Sequence, residues 1–375
     1  NVVNYMRMMM MMTRLRQRFK PSYAIVASSL ASLGVVTLFS SSSDDINVVS
    51  CEGKQLKEVT KESREVMDLM KELQSTFVKK LTKIRSSKDD RSEAFQEVAW
   101  TRTGPEGENW GGGTRYQTKN SKVFDRASVN VSAVHYENRE RCPVDSATAL
   151  SVILHPKHPR APSMHFHISY MEPRGESKQA YWRMIADLNP SRSSPSSLAV
   201  FQNAIRYCSP EHLQEGLYEK AVEFGDRYFY IPALRRHRGA SHFFIGKLKE
   251  SQDIDHEDAL KLASNLAEAA IEAYTRVVQD EIDSNPSLTV TDRVAQLSYH
   301  TMYTFQVLTL DRGTTHGLLA HSDNDVGTLG SLPMRADTNL LESWCEELRY
   351  RNVRGVRARS VRVSSLHHTP RCQKI

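Results

Sequence analysis

Residues 149–171 have the sequence ALSVILHPKHPRAPSMHFHISYM, in which two apolar segments, 149–155 and 163–171, flank a proline-rich turn. Just upstream, residues 128–135 (SVNVSAVH) alternate apolar and polar side chains with a period of two. Such alternation is typical of a β-strand that buries one face. Because the three segments follow one another closely in the chain, they predict successive antiparallel strands.

Helical periodicity dominates the segments on either side of these strands. In residues 56–84, apolar side chains recur at three- and four-residue steps, which predicts an amphipathic helix. Further helices are predicted at residues 198–208, 213–224 and 259–280, and a short β-like run at 302–310. Strands without regular βαβ alternation, followed by helices, favour an α+β domain with an antiparallel sheet.

Composition narrows the class of protein. With 375 residues, 39% of them hydrophobic and 25% charged, the chain is an ordinary globular protein. The net charge of +6 comes mostly from the two ends, and no zinc-finger, RNP or basic-helix pattern occurs, so a nucleic-acid partner is not expected. The five cysteines are widely spaced without a CxxC pair, which argues against a disulfide scaffold or a thiolate zinc site.

The two ends differ from the centre. Residues 6–20 carry five basic side chains and no acid, and an apolar run of residues 23–39 follows. This order suggests that residues 1–50 are an organelle-targeting leader with a single transmembrane segment at 22–40, with a cleaved secretory signal as the alternative. The folded domain is predicted at 52–353. Residues 354–375 are basic without apolar periodicity, so we expect a disordered tail.

Two groups of polar residues are candidates for chemistry. His165 and His167 project to the same face of their predicted strand, as metal ligands would, and Glu172 or Asp187 could add an oxygen. The pattern lacks HExxH or cysteine spacing, however, and histidines on a half-buried sheet are commonly just hydrogen-bonded, so no metal is predicted.

The second group is the turn of residues 311–314 (DRGT). An arginine can hold a carboxylate bidentately, and an aspartate can accept hydrogen bonds from pyrrole-like N–H donors. The alternative is an aspartate that caps its own turn. Hydrolase, nucleotide and nicotinamide motifs are missing from the sequence, so these residues alone do not identify a reaction.

Short stretches in the same order resemble oxygen-dependent coproporphyrinogen III oxidase over residues 92–353. These stretches are residues 110–113, 123–132, 134–135, 155–166, 187–190, 217–218, 226, 228–229, 311–314 and 331–333. The resemblance implies an α+β fold, a large antiparallel sheet flanked on both faces by helices, usually as a homodimer. It also implies an enzyme of heme synthesis that uses dioxygen, without metal or organic cofactor, to convert two propionates of a tetrapyrrole to vinyl groups.

The resemblance implies roles for particular residues. His165 matches the catalytic histidine, and Asp311 and Arg312 match the acid that binds pyrrole nitrogens and the arginine beside it. Ser151 matches a substrate-contacting serine, and His167, where the family has asparagine, is assigned to substrate binding with it.

Other family positions differ in this chain. Ser169 replaces an arginine, so one carboxylate clamp is missing. Residues 183–186 replace a glycine-rich run, and residues 233–242 replace a His-Arg-Gly-Glu loop and the glycines that follow it. Phe305 and Val307, predicted on a strand before Asp311, replace a glutamate and an asparagine.

These differences leave two main hypotheses. In the first, the chain is a non-catalytic paralogue, a structural or interaction subunit whose site is filled by Met184, Ile185, Phe305 and Val307. In the second, it is an active oxidase in which new arginines replace the lost clamp around Asp311. The candidates are Arg160, Arg183, Arg235 and Arg238. A pocket repurposed for heme or metal through His165 and His167 is a third alternative.

Location and partners follow from the leader and the resemblance. The leader predicts a mitochondrial protein of the intermembrane space or inner membrane, with a plastid as the alternative. Expected partners are a second copy of the chain or other subunits of an organelle complex, the membrane through residues 22–40 and, for an active enzyme, a tetrapyrrole.

Overall fold

The structure of the protein is a computed structural model, and all of the residues that it describes belong to one compact unit, Lys57–Ile375. The described residues are 60–86, 94–103, 109–136, 144–175, 179–192, 194–209, 216–232, 234–250, 253–310 and 332–350. The predicted leader, the predicted membrane segment, the basic tail, Asp311 and Arg312 lie outside them.

The described strands form a seven-stranded sheet in which every neighbouring pair is antiparallel. In spatial order they are β1 (Phe95–Thr103), β2 (Asn109–Thr118), β3 (Phe124–His135), β4 (Val144–Pro156), β5 (Ser163–Pro173), β6 (Tyr181–Asn189) and β9 (Ser241–Lys249). A small hairpin pairs β7 (Tyr230–Ile231) with β8 (Arg236–His237). The predicted antiparallel order of β3, β4 and β5 is confirmed.

The first four of the described helices match predicted ones, whereas the last two were not predicted. Among the described residues the helices are α1 (Lys61–Leu81), α2 (Pro195–Arg206), α3 (Leu217–Phe229), α4 (His256–Ser284), α5 (Val290–Leu310) and α6 (Thr338–Tyr350). None of these helices is both long enough and apolar enough to span a bilayer.

The prediction of a β-like run at 302–310 was wrong, because these residues end α5. Tyr299, Met302 and Tyr303 recur at three- and four-residue steps and are buried together. Burial of this face outweighs the local preference of aromatic and β-branched residues for strands. Phe305 and Val307 therefore lie on a helix and not on a strand.

Helices cover both faces of the sheet. On one face, α1 and α4 bury the apolar side chains of the central strands, including Val129, Leu150 and Phe166. On the other face, α5 packs Tyr303 and neighbouring side chains against Ile153 of β4. This arrangement confirms the α+β fold with helices on both faces that the resemblance implied.

The glycine triplet of residues 111–113 lies inside β2, between β1 and β3. Gly111 has a φ of +99°, and a side chain there would collide with the carbonyl oxygen of Ala133. The triplet therefore permits a close backbone approach between neighbouring strands.

Candidate active site

One row of polar side chains crosses the sheet on the face covered by α5. Strand alternation directs Phe166 towards α1 and α4 and places His165 on the opposite face. In the strand register, His165 is paired with Asp187 of β6, and Asp187 is paired with His242 of β9. Directly paired residues of antiparallel strands have Cβ atoms about 5 Å apart, so neighbouring members of this row can interact.

An ion pair occupies the centre of the row. Arg238, which follows β8, forms a salt bridge through Nη2 with Oδ2 of Asp187. The same nitrogen donates a hydrogen bond to Nδ1 of His165 at 3.1 Å, and the guanidinium lies 3.8 Å above the ring centre of Phe229. Arg238 is 1%, Asp187 0% and His165 3% exposed. A cation, an anion and an imidazole thus share one interior site.

The protonation states follow from this burial. Burial first, and then the charge of Arg238, lower the pKa of His165 well below its ordinary value. His165 is therefore neutral at neutral pH, as its acceptor role towards Arg238 requires. Burial also lowers the pKa of Arg238 to about 10, which still leaves the guanidinium charged.

A second group lies beside the first on β4 and β5. Nδ1 of His167 is 2.7 Å from Oγ of Ser151, its partner in the strand register. Burial, followed by the charge of Arg183, lowers the pKa of His167 to about 3. The structure therefore brings together the two residues predicted to bind substrate. The His167 imidazole is neutral at neutral pH.

A third group connects the site to α5. Nδ1 of His155 is 3.0 Å from Oγ of Ser163. The His155 ring meets Tyr303 edge to face, with centroids 4.7 Å apart, and the His300 ring at 5.4 Å. Burial first, and then the charges of His300 and Arg238, lower the pKa of His155 well below its ordinary value. Helix α5 thus closes the polar row with aromatic side chains.

Comparison with known proteins identifies the family. The sequence profile of coproporphyrinogen III oxidase matches residues 65–344. The chain belongs to the coproporphyrinogen III oxidase family. Its polar row therefore lies in a fold shared with oxygen-dependent coproporphyrinogen-III oxidases.

Several such oxidases are similar to the chain. The mitochondrial oxygen-dependent coproporphyrinogen-III oxidase of Rattus norvegicus is 27% identical over 252 residues, covering 62% of this chain and 56% of the rat protein. The chloroplastic one of Glycine max is 28% identical over 270 residues, 66% of each chain. That of Prochlorococcus marinus is 27% identical over 312 residues, 74% of this chain and 86% of its own. The chain thus spans little more than half the length of the rat relative.

The arginines proposed to replace the family's missing carboxylate clamp have different surroundings. Arg238 enters the polar row, and Arg183 lies 5.7 Å over the Phe244 ring on the same face. Arg160 instead forms an ion pair with Asp292 at the start of α5. Arg235 is exposed, with a φ of +51°. Two of the four candidates therefore lie close to the predicted site.

The apolar side chains expected to fill the family's substrate site fall into two groups. Ile185 lies on the same face of the sheet as the polar row and packs with Phe229 and Phe244. Phe305 and Val307 belong to the cluster that α5 forms over Ile153. The prediction that Met184 helps to fill the substrate site was wrong. This residue lies on the opposite face, in the core with α1 and α4, because adjacent residues of a strand point in opposite directions.

Sequence reasoning did not identify the ion pair of Asp187 and Arg238. Asp187 matched a family stretch and was considered only as an oxygen ligand, and Arg238 only as a substitute clamp. One signal was available, since Asp187 is a lone carboxylate in the apolar segment of residues 184–188. A buried charge requires a partner, and the next cationic loop in the chain supplies it.

A metal site at His165 and His167 is a further alternative, and both residues lie in the described part of the chain. There, no group of three or more histidine, cysteine, aspartate or glutamate side chains could hold an ion. His165 is bonded to Arg238, and His167 interacts with Ser151. Glu172 pairs with Ser146 and Val144 pairs with Pro173, so Glu172 lies near the far end of β5.

Proposed function

We propose that the chain is a family member that does not catalyse the oxidative decarboxylation and acts as a structural or interaction subunit. The observation that carries this proposal is the buried ion pair between Arg238 and Asp187. The pair engages, inside the protein, one arginine and one carboxylate that could otherwise bind a propionate or the pyrrole N–H groups of a tetrapyrrole.

Energetics support this proposal. Separating a buried ion pair leaves two uncompensated charges and typically costs about 3–5 kcal/mol. A substrate would have to supply that energy, with Ser169 in place of the family's arginine. It would also have to enter a face on which Tyr303 and Phe305 of α5 are fully buried.

The second candidate is an active coproporphyrinogen III oxidase, favoured by the position of Arg238, a candidate substitute for the missing clamp, beside His165. In this alternative, Arg238 would bind a propionate, and Asp311 would accept hydrogen bonds from pyrrole N–H groups, as the resemblance implies. His165, with Nδ1 engaged by Arg238, would present its Nε2–H to the substrate. The assignments of Asp311 and Arg312 remain predictions from the resemblance.

The proposed setting is an organelle. The rat and soybean relatives are mitochondrial and chloroplastic proteins, and residues 6–20 have the basic, acid-free character of a leader. We infer a mitochondrial location in the intermembrane space or at the inner membrane through residues 22–40, with a plastid as the alternative. The proposed partners are a second copy or other subunits. Alkaline carbonate extraction of purified organelles tests the anchor: recovery in the soluble fraction would contradict it.

A turnover assay separates the two candidate functions. The full chain is supplied with coproporphyrinogen III and oxygen, and product is followed by porphyrin fluorescence, with the Prochlorococcus marinus relative as positive control. We expect no product and no substrate binding by the folded chain, because its site is closed by Arg238 and Asp187. Conversion that is lost in both His165→Ala and Asp311→Ala would establish the oxidase instead.

A further inference from the structure

A second polar pair lies next to Arg238, where α3 meets β9. Oδ1 of Asp226 accepts a hydrogen bond from Nδ1 of His242 at 2.8 Å. On the other side of the ring, Nε2 of His242 accepts a hydrogen bond from the backbone N–H of Gly239 at 3.2 Å. The imidazole therefore connects a helix to the turn that carries Arg238.

Glycine makes this connection sterically feasible. Gly225 of α3 lies directly over His242, and a Cβ atom at residue 225 would be 2.9 Å from the Cβ of His242. The missing side chain lets α3 approach β9 closely enough for Asp226, the next residue, to reach the ring. The pair thus depends on local geometry that these three residues provide together.

The turn of residues 238–240 is held at each of its backbone N–H groups. Arg238 N–H donates to the carbonyl of Phe229 at 3.0 Å, and Ala240 N–H donates to the carbonyl of Leu188 at 3.2 Å. The intermediate N–H, that of Gly239, donates to His242. His242 therefore provides the one side-chain acceptor for the N–H groups of this turn, since the other two acceptors are backbone carbonyls.

The ring has the protonation state that these bonds require. Burial lowers the pKa of His242 to about 4; the hydrogen bond to Asp226 partly opposes this shift, and the charges of Arg238 and His237 contribute to it. A neutral ring has one N–H donor and one acceptor nitrogen. With Asp226 beside Nδ1 and the Gly239 N–H beside Nε2, the proton lies on Nδ1.

We propose that Asp226 and His242 are positioning residues that fix the turn of residues 238–240 and thereby hold Arg238 on Asp187. This inference deepens the proposed function, on which it rests, because it names what keeps the site closed. The family has further glycines in this segment, whereas this chain has His242, whose hydrogen bonds with Asp226 and Gly239 form what we call the side-chain lock.

Amide hydrogen exchange of the full chain at neutral pH tests the lock. In His242→Phe, which retains a ring beside Phe229 but loses both polar contacts, we expect the Gly239 amide to exchange at least about 10-fold faster. His242→Gln, whose amide can both donate and accept, should restore most of the protection. The matched control is His237→Phe, an exposed neighbour 5.6 Å from the His242 ring, which should leave Gly239 unchanged.

Asp226→Ala provides a second test if the core substitution does not fold. The Asp226 side chain is 52% exposed, so its removal leaves the packing intact while removing the acceptor of the ring. We expect faster exchange at Gly239 and a loss of the Nδ1–H tautomer of His242 in ¹⁵N NMR spectra. Unchanged exchange in both His242→Phe and Asp226→Ala would overturn the lock.

The failure of the lock and the failure of the proposed function are distinguishable. Exchange at Gly239 and the tautomer of His242 are measured without substrate, so they test the lock even if the chain proves to be an active oxidase. Turnover by the wild-type chain together with protection that depends on His242 would overturn only the non-catalytic assignment. No turnover with protection independent of His242 would overturn only the lock.

Discussion

Replacing Arg238 with methionine is expected to lower the free energy of unfolding by about 3–5 kcal/mol. The substitution keeps an unbranched side chain over Phe229 but leaves the Asp187 carboxylate, which is fully buried, without its cation. Urea unfolding of the full chain at neutral pH, followed by tryptophan fluorescence, measures the change.

Two further variants identify the cause of that loss. Arg227→Met removes a largely exposed arginine that forms an ion pair with Glu223, one helical turn away. This substitution should lower the free energy of unfolding by less than about 0.5 kcal/mol. The double variant Arg238→Met with Asp187→Leu removes both buried charges and should recover most of the stability. A loss from Arg238→Met no larger than that from Arg227→Met would contradict a buried ion pair.

The second large effect is a loss of stability in mild acid. Burial lowers the pKa of five imidazoles, to about 3 for His167, to about 4 for His242 and His300, and well below the ordinary value for His155 and His165. Between their folded pKa values and about 6.5, the unfolded chain binds protons that the folded chain does not. Stability therefore falls as pH falls through this window, by on the order of 10 kcal/mol between pH 7 and 5.

A single substitution tests this linkage. His167→Asn installs the residue that the family has at this position and can retain a hydrogen bond to Ser151. With one fewer low-pKa imidazole, the slope of unfolding free energy against pH should fall by about 1.4 kcal/mol per pH unit near pH 5. Urea unfolding at several pH values measures the slope. His237→Gln, at an exposed site, serves as control, and equal slopes in the two variants would be inconsistent with titration of His167.

Both predictions concern the same interior face. Its histidines are neutral rings, its one arginine in the polar row is paired with its aspartate, and helix α5 covers it. If the two effects are found together, the face is a packed polar core held closed at neutral pH. That result would favour the non-catalytic proposal, because substrate entry would have to overcome the same contacts.

The sequence by itself determined the framework of this protein. Period-two alternation at residues 128–135 predicted β3, and apolar steps at 56–84 predicted α1, because each pattern records which side of one element is buried. Alternation likewise placed His165 and His167 on one face of their strand, and the resemblance assigned Ser151 to substrate binding. The family followed from short stretches in a fixed order and is confirmed by the match over residues 65–344.

Only the tertiary structure decided how the polar face is organised. Asp187 and Arg238 lie far apart in sequence, and a loop can place an arginine in many directions, so no periodicity predicts their pairing. The same holds for Asp226 and His242, which depend on the close approach of α3 at Gly225. Residues 302–310 became helix because the helical face that starts at Tyr299 is buried against the sheet. Local patterns record burial of one element, whereas contacts between distant elements depend on how the whole chain packs.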